Sequence, residues 1–97
     1  MFDFHCHSLL SDGELLPIEL VRRYQEKGYK AIAITDHVDR SNIDMVIGGI
    51  LKFCSSFPDK GNFKIFPGIE LTHLNLEDFG PLTDFARKKG IKVIVGH

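Results

Sequence analysis

Tryptophan is absent from this sequence, and cysteine occurs only at Cys6 and Cys54. Two cysteines so far apart match neither a zinc-binding pair nor the disulfide framework of a small secreted domain. The N-terminus also lacks the basic segment and the apolar segment of a signal peptide. We therefore expect a cytoplasmic protein in a reducing compartment.

An excess of one charge and long apolar runs are missing as well. Twelve Lys and Arg residues face 13 Asp and Glu residues, so the formal net charge is −1. Without a basic surplus, a nucleic-acid partner that binds through its phosphates is not expected. No apolar run approaches the roughly 18 residues of a membrane span, so we expect no membrane partner. The chain has 97 residues, 43% of them hydrophobic, so we expect a single domain or part of one.

Short apolar segments alternate with stretches of helical periodicity. Strands are predicted near residues 1–7, 30–35, 63–70 and 91–95, and helices are predicted to begin near Leu15, Ser41 and Asn75. The order β-α-β-α-β-α-β predicts an α/β fold with a parallel sheet and right-handed crossovers. The pair Pro67-Gly68 inside the third strand indicates a bulge or a close backbone approach.

The first strand ends in two histidines one residue apart, His5 and His7. Side chains alternate across a strand, so both imidazoles should lie on one face, where they can bind one metal ion. Asp12 follows in a Ser-Asp-Gly turn and can add a carboxylate. Cys6 should point to the opposite face, into the core, and Asp3 should share the face of the histidines. An isolated His-x-His pair is as often structural as metal-binding.

The other strands also end in residues that can bind metal, namely Asp36 and His37, then Glu70, then His97. Parallel strands of such folds carry their active sites at the carboxyl ends. A buried Glu70 would be costly unless it were paired, and a cation can pair it. Asp36 has two possible roles, direct ligation and orientation of an imidazole. His97 could equally be a frayed last residue.

Two further residues are weaker candidates for substrate binding. His73 could contact substrate or face solvent, and Arg40 could bind a phosphate or be a solvated loop arginine. Ser8 and Ser11 have no evident catalytic base, so a serine nucleophile is not supported. Mixed oxygen and imidazole ligands suit Zn, Mn or Fe, and such ions favour metal-assisted hydrolysis.

Several motifs resemble the PHP (polymerase and histidinol phosphatase) superfamily, most of all its stand-alone phosphoesterases of the histidinol-phosphatase type. The motifs are His5-Cys6-His7, Ser11-Asp12-Gly13, Ile34-Thr35-Asp36-His37, Gly68-Ile69-Glu70 and the final Val-Gly-His97. The resemblance implies a distorted (β/α)7 TIM-like barrel with two or three divalent metal ions at the strand ends. In that family a metal-bound hydroxide attacks a small phosphate monoester.

The resemblance also implies a ligand set. His5 and His7 would hold the first metal with Glu70, and Glu70 would bridge to a second metal that His97 also binds. Asp12 and His37 would hold the third.

Family members continue for about as many residues again, with further histidine motifs. Residues 1–97 are therefore expected to form a partial PHP domain, the N-terminal half-barrel, which a missing C-terminal half or a second copy of the chain would complete. Two alternatives stay open. One is another barrel metallohydrolase of the amidohydrolase or nuclease kind, although the Thr-Asp-His and Ser-Asp-Gly turns favour the PHP type. The other is a non-catalytic half-barrel that binds metal or a partner.

Overall fold

The computed structural model describes residues 2–8, 10–11, 13, 16–57, 63–72 and 74–96. Strands and helices alternate along this part of the chain as β1 (Phe2–Cys6), α1 (Pro17–Glu26), β2 (Ala31–Val38), α2 (Ile43–Ser56), β3 (Lys64–Leu71), α3 (Leu76–Lys89) and β4 (Val93–Gly96). The four strands pair in parallel in the order β1-β2-β3-β4. The predicted α/β half-barrel is therefore confirmed. None of the helices described here combines the length and the apolar character needed to cross a bilayer.

The core lies between the sheet and its helices, and β2 runs through its centre. Every residue of β2 except His37 is buried. Ile32 and Ile34 are fully buried and belong to one hydrophobic cluster with Val46 and Ile50 of α2. Burial of each such side chain stabilises the fold by roughly 1.5–3 kcal/mol. Met45 of α2, in contrast, is 66% exposed.

Strand β2 extends three residues beyond the predicted end. Its pairing with β3 continues without a break from Ala31 opposite Lys64 to Val38 opposite Leu71. Asp36 and His37 therefore lie inside the strand and not after it. Because side chains alternate, these two neighbours project to opposite faces of the sheet.

Strand β1 contains an irregularity that changes which face its side chains occupy. Asp3 pairs with Ile32 but Cys6 pairs with Ile34, so β1 has one extra residue over this stretch. Such a bulge breaks the alternation of side chains. The prediction that Asp3 shares the face of His5 was wrong, because Asp3 Oδ2 accepts a hydrogen bond of 2.7 Å from Tyr24 of α1.

The pair Pro67-Gly68 marks a close backbone approach, one of the two predicted alternatives. A Cβ at Gly68 would lie 2.7 Å from Thr35 Cγ2 and 2.9 Å from the Val93 carbonyl oxygen. No bulge occurs here, since the register of β2 and β3 is continuous. Glycine thus lets three strands pack tightly beside Glu70.

The helix ends agree with the sequence pattern except at α2. This helix begins at Ile43 after Asn42, two residues later than the predicted start near Ser41, and no described side chain caps it. Helix α3 continues through Gly80-Pro81 and ends at Gly90, whose φ of 110° is left-handed, as a C-terminal glycine allows.

Candidate metal centre

Three side chains that could hold a metal ion meet on one face of the sheet. The Nε2 atoms of His5 and His7 both lie within hydrogen-bonding distance of a single oxygen, Glu70 Oε1, and the His7 distance is 3.0 Å. The three ligand atoms all lie within 4.8 Å of one another. The prediction that His5 and His7 share a face is confirmed by this geometry.

A fourth side chain, His37, joins the group from β2. The β2–β3 register sets His37 directly opposite Glu70, and its Nδ1 lies 3.5 Å from Glu70 Oε2. Its ring centroid is 4.2 Å from that of His7. Three adjacent parallel strands thus contribute to one cluster, which lies toward their carboxyl ends.

Glu70 is the electrostatic centre of the cluster. It is 3% exposed, and burial by itself raises the pKa of its carboxyl. The hydrogen bonds to His5 and His7 and the charge of His37 outweigh burial, so the pKa of Glu70 lies below its usual value. The carboxylate is therefore held ionised in a largely dehydrated position, where it attracts cations.

The donor set fits a divalent transition metal. Ligands about 2.1 Å from an ion at tetrahedral or octahedral angles lie about 3–3.5 Å from each other. The 3.0 Å separation of His7 Nε2 and Glu70 Oε1 matches that spacing. Without a cation, the two imidazole nitrogens compete for the same carboxylate oxygen as their hydrogen-bond acceptor. A cation bound between the three atoms removes this competition.

Thr72 was not predicted, but it contacts the cluster. His37 Nδ1 lies 2.6 Å from Thr72 Oγ1, and Thr72 Oγ1 in turn donates to the Glu70 carbonyl oxygen at 3.4 Å. The hydroxyl can accept the Nδ1 proton while it donates to the carbonyl oxygen, and in that neutral tautomer the imidazole lone pair is at Nε2. The signal was present in the sequence, because Thr72 lies two residues after Glu70 and so shares its face.

Comparison with known proteins identifies the family. The family model described as PHP domain matches residues 3–97. The chain belongs to the PHP domain family. This superfamily is of the metal-dependent phosphoesterase type. No solved structure matches the chain significantly.

Two curated relatives match this PHP domain. An uncharacterized protein of Methanocaldococcus jannaschii, MJ1295, is 37% identical over 99 residues, which cover 99% of this chain and 44% of the relative. A 5'-3' exoribonuclease of Haemophilus influenzae is 46% identical over 43 residues, which cover 44% of this chain and 16% of the enzyme. The chain thus spans less than half the length of the curated relatives it matches.

The structure describes only some of the other predicted site residues of this PHP domain. Asp12, His73 and His97 lie outside the described residues. Arg40 lies in the loop after β2, is largely exposed and forms an ion pair with Asp78 of α3. The structure therefore places its guanidinium against a carboxylate.

Asp36 lies on the opposite face of β2 from His37. Its carboxylate accepts hydrogen bonds from Ser8 and Ser11, and in the part of the chain described here no imidazole hydrogen-bonds to it. Both serine hydroxyls donate to this carboxylate.

Proposed function

We propose that this chain is the N-terminal part of a metal-dependent phosphoesterase that hydrolyses a small phosphate monoester. The observation that carries the proposal is the convergence of His5, His7 and His37 on the buried carboxylate of Glu70. It occurs at the strand ends of a PHP domain, where parallel α/β barrels bind their substrates.

The chain's own residues have separate tasks in this proposal. His5, His7 and Glu70 hold one divalent ion, and Thr72 fixes the tautomer of His37. Glu70 presents its second oxygen, Oε2, on the side of His37. That arrangement supports a second ion, and the mixed donors favour Zn, Mn or Fe. When bound, such ions activate water and stabilise charge on a phosphoryl group.

Completion of the barrel belongs to the same proposal. Strands β1 and β4 are the edges of the described sheet. The face that carries the metal centre also exposes Phe2 and Phe4, which are 62% and 47% exposed. Further strands, from a longer form of the chain or from a second copy, would pair with the edges and cover these rings.

A second candidate function is phosphodiester hydrolysis at the end of an RNA strand. It is favoured by the similarity to the exoribonuclease of Haemophilus influenzae, which covers 44% of this chain. The formal net charge of −1 argues against it, because RNA-binding surfaces are usually basic.

The test combines metal analysis with two substrates. We expect at least about one Zn, Mn or Fe ion per purified chain, and we expect hydrolysis of p-nitrophenyl phosphate that stops on chelation and returns when metal is restored. A 5'-phosphorylated RNA oligonucleotide assayed in parallel distinguishes the second function. A chain that retains less than about half an ion after incubation with each metal would contradict the metal centre. Glu70→Gln, purified in the same way, controls for contaminating phosphatases.

A further inference from the structure

We propose that Asp36 is a positioning residue of the metal centre, which acts by holding the segment after β1 in place. The proposal rests on the proposed function, since it concerns how the same centre is built. In this proposal Asp36 neither binds the metal directly nor orients an imidazole through a hydrogen bond. Its carboxylate instead acts through hydrogen bonds to the segment after β1, which directly follows His7.

Among the described residues, the hydrogen bonds of the Asp36 carboxylate all go to one short segment. Oδ1 accepts from the Ser8 backbone N–H and from Ser11 Oγ, and Oδ2 accepts from Ser8 Oγ, each at 2.6 Å. Asp36 and Ser8 are both fully buried. A buried carboxylate is costly unless it is hydrogen-bonded, so this position of the segment is strongly preferred over positions that leave the charge unpaired.

The segment also forms hydrogen bonds within itself. The Ser8 carbonyl oxygen accepts hydrogen bonds from the backbone N–H groups of Ser11 and Gly13, at 3.1 and 2.8 Å. Ser8 Oγ accepts a third, from the Leu10 N–H. A Cβ at Gly13 would lie 2.5 Å from the His7 carbonyl oxygen, so the segment folds tightly against the backbone of His7. Fixing Ser8 and Ser11 therefore also fixes Leu10 and Gly13, the other described residues of this turn.

The position of this contact in the chain links it to the metal centre. Ser8 directly follows His7, and Asp36 directly precedes His37. The hydrogen bonds between Ser8 and Asp36 thus tie together the backbones of two residues whose imidazole centroids are 4.2 Å apart on the other face. If the tie is loosened, the two rings lose their fixed separation while the sheet pairing of β2 with β3 remains.

The test measures cobalt binding to the 97-residue chain by visible absorption, together with the melting temperature. Ser11→Ala removes one hydrogen bond to Asp36 and leaves every histidine unsubstituted, and Asp36→Asn weakens all three hydrogen bonds. We expect cobalt affinity to fall about 10-fold in Ser11→Ala and up to about 100-fold in Asp36→Asn, as for loss of partners of metal ligands. Ser11→Thr keeps the hydroxyl and should stay within about twofold of the parent.

Ser55→Ala is the matched control, because Ser55 is exposed on α2 and bonds only locally, to the Lys52 carbonyl oxygen. The proposal is overturned if Ser11→Ala and Asp36→Asn lower the melting temperature but leave cobalt affinity and its spectrum as in Ser55→Ala. It is also overturned if Asp36→Asn loses a whole ion while Ser11→Ala binds normally, because Asp36 would then be a ligand. Ser11→Ala is the milder change, and it remains informative if Asp36→Asn does not fold.

Failure of the proposed function has a different signature. If the unsubstituted chain binds no cobalt, the metal centre is refuted, and the positioning role is then tested by NMR of the metal-free chain. The imidazole signals of His7 and His37 should shift together in Ser11→Ala and stay unchanged in Ser55→Ala. Unchanged signals in both variants would overturn the positioning role.

Discussion

His37 and Glu70 face each other across the β2–β3 pairing, with His37 Nδ1 3.5 Å from Glu70 Oε2. Directly opposed residues of neighbouring strands project from the same face of a sheet. The strand register therefore brings His37 and Glu70 together in the candidate metal centre. His5 and His7 reach the same carboxylate from β1, so Glu70 is the residue on which the site depends.

Replacement of Glu70 by glutamine should abolish tight metal binding. The amide keeps the shape of the side chain but removes the charge and one acceptor that the imidazoles of His5 and His7 share. We expect affinity for Zn or Co to fall by more than the 10- to 100-fold that loss of an outer partner costs. Isothermal titration calorimetry measures the affinity, and a thermal melt verifies folding. Glu77→Gln, at an exposed position in the first turn of α3, is the control and should bind metal normally.

Replacement of Thr72 by valine should weaken metal binding less severely. Valine has the same shape but cannot accept the Nδ1 proton of His37, so the tautomer and ring orientation are no longer fixed. A loss of about 10-fold in metal affinity is expected. NMR of the ring nitrogens of His37 reports the change of tautomer. Thr72→Ser should retain both the tautomer and the affinity, and a serine variant as weak as valine would contradict this role.

Much of the fold and part of the site follow from local sequence pattern. The parallel order of strands is encoded by apolar segments that alternate with helical periodicity, and the His5-x-His7 spacing defines a shared face. The differences between prediction and structure come from pairing between strands that are distant in the sequence. The bulge in β1 moved Asp3 to the helix side, and pairing with β3 extended β2 past Asp36.

The sequence spacing puts Thr72 on the face of Glu70, but the contact partners of Asp36 and Thr72 could not be predicted from local pattern. The partner of Asp36, Ser8, lies 28 residues away in the chain and could be identified only once β1 and β2 were side by side. Thr72 is an ordinary polar residue until the register places His37 next to it. Both roles depend on tertiary packing, which local pattern does not encode.

Neither cysteine should react readily with thiol reagents in the folded protein. Burial, with the nearby charges of Asp3 and Asp36, raises the pKa of Cys6 from 9.0 to about 12, and burial raises the pKa of Cys54 to about 11. Because the thiolate is the reactive form, raised values mean that less of it is present at pH 8 than in an unfolded chain. Labelling by Ellman's reagent at pH 8 should be slow until denaturant is added, when both thiols react. Rapid labelling of the native protein would contradict this prediction.

Alanine should be tolerated at Gly48 but not at Gly68. A Cβ at Gly68 would lie 2.7 Å from Thr35 Cγ2 and 2.9 Å from the Val93 carbonyl oxygen, so three strands would have to separate. Such overpacking should lower the free energy of unfolding by about 1–3 kcal/mol. A Cβ at Gly48 would meet nothing within 4 Å on helix α2, where alanine is favoured over glycine by about 0.5–1 kcal/mol.

Urea unfolding of both variants measures the difference, and equal stability of the two would show that the strands can separate at Gly68 without cost. Thr35→Ser removes the methyl group that lies nearest, so adding it to Gly68→Ala should restore part of the loss, while the clash with the Val93 carbonyl keeps recovery incomplete.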